Sequence, residues 1–149
     1  MMIKVFFRHL PQLVFLVFIL GAASSVLAGK EYEVVIHPHV SVKSLSANTL
    51  RAIFGMRMRT WQDGTMIRVF VLSDDASLHQ KFSKETLNVF PYQLRSAWDR
   101  LVFSGIGHAP VNVNSIEEML VKVASTPGSI GYLWRENVDD SVDVLQVKE

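Results

Sequence analysis

The chain has 149 residues, no cysteine, and 15 basic against 14 acidic side chains, a formal net charge of +1. That near-balance excludes a bulk electrostatic grip on nucleic acid or on an anionic membrane surface. The missing thiol excludes disulfides, a cysteine-linked lipid anchor, thiol catalysis and cysteine-based metal sites.

The N-terminus reads as a cleavable secretory signal. Lys4 and Arg8 give a positive start, and Leu13 to Leu20 is an unbroken apolar run. Small residues follow, then Val26-Leu27-Ala28, whose first and third side chains suit a signal-peptidase cut before Gly29. The apolar run is less than half of the ~20 residues that a membrane span needs, so no anchor is expected after cleavage. Residues 1–28 are thus expected to leave, and residues 29–149 to form one periplasmic domain. The mature part carries 13 basic and 14 acidic groups, a net of −1, because Lys4 and Arg8 depart.

Within the domain, Glu31–His37 is a β-branched run closed by Pro38 and reads as a strand. Ser46 is an N-cap for a helix over Ala47–Phe54, with Leu50, Ile53 and Phe54 on one face and Gly55 as its stop. A loop with an Asp63-Gly64 turn leads to Ile67–Leu72, apolar enough to be buried on both faces. Ser73, Asp74 and Asp75 offer capping oxygens for a helix through Leu78, Phe82 and Leu87. Pro91 opens a further helix with Leu94, Trp98, Leu101 and Val102 in register. Val111–Val113 is a short strand, and Ser115-x-x-Glu118 a capping box before Ile116, Met119, Leu120 and Val123. Thr126-Pro127-Gly128 ends that helix, and Ser129–Trp134 follows as a strand whose central Gly131 signals a close approach. Asp143–Val147 reads as a last edge strand. Alternating strands and helices predict an α/β domain with a mixed or mostly parallel sheet. In such sheets ligands sit beyond the carboxyl ends of strands, often at a helix N-terminus. The segment Ser73-Asp74-Asp75-Ala76-Ser77 is therefore the place to look for a ligand.

A family resemblance rests on several blocks. Leu45 to Gly64 reads LSxxxLxxIFGxxxxxWxDG, followed by a strand, a polar turn, and a helix carrying Phe82. Trp98, Ser104-Gly105, Pro110, Val113, Ser115 and Thr126-Pro127-Gly128-Ser129-Ile130-Gly131-Tyr132 come in the same order. The chain resembles the periplasmic phosphate-binding proteins of ABC transporters, of the type 2 periplasmic-binding-protein fold. The resemblance implies one lobe, with hinge strands, of a protein that normally has two. A second lobe would come from another copy or another protein. It also implies a phosphate turn reading Arg-Ser-Asp-x-Ser-Gly-Thr. Here Leu72 stands at the arginine position, Ser73 and Asp74 match, Asp75 fills the variable place, and Ala76-Ser77-Leu78 replaces Ser-Gly-Thr. Phosphate binding is accordingly expected to be weak or absent.

Other residues admit milder readings. Asp74 and Asp75 are read first as helix caps, and Trp61 as a core residue. Arg57 and Arg59 form the best basic patch for an anion or a partner. His37-x-His39 puts two imidazoles on one face of an extended segment, but no third ligand converges in sequence, so no metal is expected. Ser104-Gly105-Ile106-Gly107 is a plain loop, and Ser77 lacks an evident base. Neither catalysis nor a cofactor is expected. The two functional expectations are an exported binding domain for a small anionic solute and a protein-interaction module derived from a binding lobe.

Overall fold

The computed structural model describes residues 29–149; the expected signal segment, residues 1–28, lies outside them. Six strands form one sheet: β1 Tyr32–Ile36, β2 Ser44–Ser46, β3 Arg68–Val71, β4 Val111–Asn112, β5 Ser129–Trp134 and β6 Asp143–Lys148. Their order is β2-β6-β1-β5-β3-β4. β1 runs antiparallel to both β5 and β6, whereas β2 pairs parallel with β6, and β3 parallel with β5 and β4. The helices are α1 Ala47–Phe54, α2 Ser77–Glu85, α3 Pro91–Phe103 and α4 Ile116–Ser125. The sheet is mixed, as expected for this α/β class. Among the described helices none is long and apolar enough to cross a membrane.

Helix starts follow local chemistry at two of the three positions expected. Ser46 accepts from the Thr49 amide at 3.1 Å and Ser115 from the Glu118 amide at 3.0 Å. The return arm of the Ser115 box lands one residue early, because Glu118 accepts from the Asn114 amide at 2.7 Å. The third expectation fails. Asp74 and Asp75 do not cap α2, whose N-cap is Ala76 with no side-chain bond. Both carboxylates lie a residue or more too early, and each has another partner.

The strand at Asp143–Lys148 is also not an edge, since β6 sits between β2 and β1. Its polar alternation reports one wet face, not a missing hydrogen-bond neighbour. β2, unexpected from the sequence, supplies that edge.

The core joins the sheet to the inner helix faces. Leu50, Ile53, Phe54, Leu78, Phe82, Leu87, Trp98, Met119 and Val123 are all buried. Phe82 stacks on Tyr132 at 4.2 Å and meets Phe54 at 4.7 Å, so α1, α2 and β5 share one aromatic cluster. Trp98 adds α3 by donating from Nε1 to the Phe54 carbonyl at 2.8 Å. The face expected for α3 is only half right: Leu94 and Trp98 are buried, but Val102 is exposed. Trp61 is a core residue, and its Nε1 donates to the Gly128 carbonyl at 2.9 Å. The close approach expected at Gly131 is real: a Cβ there would lie 2.6 Å from Met119 Sδ and 3.0 Å from Val123 Cγ2. Gly131 therefore lets α4 lie directly on β5.

Candidate functional site

β3 and β4 run parallel and end side by side, which places the turn after β3 beside the turn after β4. Between them is a hollow of about 480 Å³ lined by Ser73, Asp74, Asp75, Arg95, Asn112, Val113 and Asn114. Ser73, Asp75 and Ser77 are exposed, and Asp74 and Ala76 half-buried, so the turn is open to solvent.

Asp74 is held by Arg95 from α3. The guanidinium donates from Nη2 to Oδ1 at 2.9 Å and from Nε to Oδ2 at 3.1 Å, a bidentate fork. The Arg95 guanidinium also lies 5.0 Å from the Trp98 ring centroid, which fixes it from beneath. Asp75 accepts from the Ser73 hydroxyl at 2.5 Å, and that bond is the main cause holding its carboxyl below the ordinary range. The uncapped start of α2 leaves its first-turn amides without side-chain acceptors. Two carboxylates, one guanidinium and free amides thus meet at one rim.

A buried relay lies under this rim. The Leu72 amide donates to Tyr132 Oη at 2.9 Å, and Tyr132 Oη is 2.5 Å from His79 Nδ1. Tyr132 Oη thus ties the Leu72 amide to the His79 ring, which burial favours in its neutral form. Nε2 has no hydrogen-bond partner and stands 3.9 Å from Asp74 Oδ1. Burial lowers the His79 pKa, with Asp74 opposing that effect. Burial also raises Tyr132 far above its usual value. The relay fixes Leu72 and α2 relative to β5, and so sets where Ser73 to Ser77 can stand.

No protein-family model matches the sequence, and no curated protein matches it significantly. Solved structures do match. An ABC-type phosphate transport receptor from Vibrio cholerae superposes with a TM-score of 0.62 at 16% identity, covering 78% of this chain and 46% of its own. A substrate-binding protein from Clostridium perfringens, assigned to phosphate ABC transport and solved with phosphate bound, gives 0.65 at 17% identity, covering 78% and 44%. PstS from Borrelia burgdorferi gives 0.59 at 15% identity, covering 80% and 47%.

The fold is that of a phosphate-binding-protein lobe. At these identities the similarity is one of fold, and the chain spans under half the length of the structures it matches. Against that fold, Leu72, at the place where the resemblance implies an arginine, is buried and bonded through its amide to Tyr132. The guanidinium at the rim comes instead from Arg95, which sequence reasoning missed. Its only signal is a helix position three residues after Tyr92 and three before Trp98.

The other sequence-derived sites are scattered. Arg57 and Arg59 do not form one patch. Arg57 lines a cleft beside α3, and Arg59 a separate hollow with Met66 and His108. The His37 and His39 rings meet edge-on at 4.8 Å, and no group of three or more metal-ligating side chains converges among the described residues. Ser77 makes no side-chain hydrogen bond to a base. His79, two residues on, is buried and turned to Tyr132.

Proposed function

We propose that this chain is an exported, non-catalytic solute-binding lobe that holds a small oxyanion at the rim formed by Ser73 to Ser77, Arg95, Asn112 and Asn114. The observation that carries the reading is the Asp74–Arg95 fork at the uncapped start of α2, beyond the carboxyl ends of two parallel strands. A helix start favours anions through its unpaired amides. Arg95 returns the guanidinium that position 72 lacks, and Asp74 can accept a hydrogen from a protonated oxyanion. The bound phosphate of the similar Clostridium perfringens structure agrees with this class of ligand. Asp74 and Asp75 outweigh the single guanidinium, so affinity is low.

Export rests on Lys4, Arg8, the Leu13–Leu20 run and the Val26-Leu27-Ala28 cut. Expressed in a Gram-negative host, the protein should appear in the periplasmic fraction with an intact mass starting at Gly29. An uncleaved chain in the cytoplasm would contradict export. For binding, calorimetric titration with phosphate, sulfate and acetate at low salt should give saturable heat that Arg95→Ala removes. No heat with any of them, from folded protein, would refute the oxyanion reading.

A second reading is a protein-interaction module. Phe90 and Tyr92 are exposed and stack on each other at 5.8 Å at the start of α3, and Tyr92 lies on the same side of that helix as Arg95. An apolar pair beside a half-built site suits closure by a second copy or by another protein.

A further inference from the structure

A second cleft lies on the other side of α3. It has a volume of about 630 Å³, within the range of small-molecule sites. Its walls are chiefly apolar, with Val89, Leu94, Leu101 and Ile106 prominent among them, and Arg51, Arg57 and Arg100 also line it. No aspartate or glutamate lines it. Among the described residues none of these three arginines belongs to an ion pair, whereas Arg95 and Arg135 do. Arg51 is fixed in place: its Nε donates to the Leu87 carbonyl at 2.6 Å and its Nη1 to Asn48 at 2.7 Å. Trp98 anchors α3 to the end of α1 through the Phe54 carbonyl.

We infer that this cleft binds a small amphipathic carboxylate, with an apolar chain along α3 and its carboxylate among the arginines. An apolar surface open to water is unfavourable and marks a binding site when it is contiguous. Three guanidiniums sharing one cleft without a counter-charge repel one another, and one carboxylate relieves that while accepting bidentate bonds. A bare oxyanion would leave the apolar wall wet, and an uncharged chain would leave the arginines unanswered. The ligand therefore needs both parts. The cleft is distinct from the Asp74–Arg95 rim, because Arg95 points to the opposite side of α3 from Ala97, Arg100 and Leu101. The end of α3 extends the apolar surface: Phe103 is 89% exposed and Ile106 67%.

Decanoate, kept below its micellar concentration, is the probe. Calorimetry on the purified full chain should give saturable binding. Acetate, which has the head alone, and decanol, which has the chain alone, should each bind at least tenfold more weakly. Arg57→Ala with Arg100→Ala should weaken decanoate at least tenfold. Ala97→Trp, which fills the cleft, should abolish binding. Absence of saturable binding by decanoate, or binding indifferent to the double arginine variant, would overturn the inference. The two arginines are exposed, so their variant tests it even where Ala97→Trp does not fold.

Discussion

Tyr132→Phe removes one oxygen and orphans two buried groups. The Leu72 amide loses its acceptor and His79 Nδ1 its hydrogen-bond partner, both within a fully buried network. Leaving a buried polar group unpaired costs about 1–3 kcal/mol. The retained phenyl ring keeps its stacking on Phe82, so little packing is lost. Two orphaned groups therefore cost about 3 kcal/mol, which lowers Tm by roughly 10 °C in a domain of this size. Urea unfolding followed by circular dichroism should show a lower midpoint with an unchanged slope. Because Leu72 directly precedes Ser73, the same variant should also loosen the rim. Adding His79→Leu should recover part of the loss, since it removes one of the two orphans. A Tyr132→Phe cost below about 0.5 kcal/mol would show that the relay does not hold the turn.

Three further perturbations test the packing and the charges. Gly128 and Gly64 both have positive φ, at +77° and +86°, but only at Gly128 would a Cβ meet backbone, 2.4 Å from the Met66 carbonyl oxygen. Gly128→Ala should thus cost about 2 kcal/mol more than Gly64→Ala in parallel urea titrations. Gly131→Ala should cost about 1–2 kcal/mol, because Met119 can bend away while Val123 cannot, and Gly131→Val should cost more. Stability should also fall on mild acidification. Burial holds both His79 and His37 below the ordinary 6.5, so below that pH the unfolded chain takes up protons that the folded chain refuses. The urea midpoint should decline from about pH 6.5 downward, and His79→Gln should flatten the decline. The depressed carboxylates Glu31, Asp63, Asp75 and Asp139 add their own loss only below about 4.5, where they begin to protonate in the unfolded chain.

Most of the architecture was legible because it is written locally. Ser46 and Gly55 bracket α1, Pro91 opens α3, and Gly128 closes the turn after α4, all within one helical turn of the signal. The errors fall where distance in sequence matters. β6 reads as an edge strand because alternation reports which face is wet, and nothing in Asp143–Lys148 says that β2, some 100 residues earlier, will pair with it. Asp74 reads as a cap because capping is the commonest local use of an aspartate before a helix. Its actual partner, Arg95, lies 21 residues away on another helix. The turn Ser73–Ser77 was legible as the link between β3 and α2, but the guanidinium beside it and the Tyr132–His79 support were invisible to local reasoning. Arg57 and Arg59 were grouped by adjacency, yet the loop turns them into different hollows.

The proposed oxyanion sits at the start of α2 against Arg95. The most direct test is a phosphate titration followed by amide and guanidinium NMR shifts in isotopically labelled protein. Saturable shifts are expected at the Ser77, Leu78 and His79 amides and at Arg95 Nε, with the cleft arginines Arg57 and Arg100 unmoved. Shifts absent from the α2 start, or confined to the far side of α3, would contradict this placement.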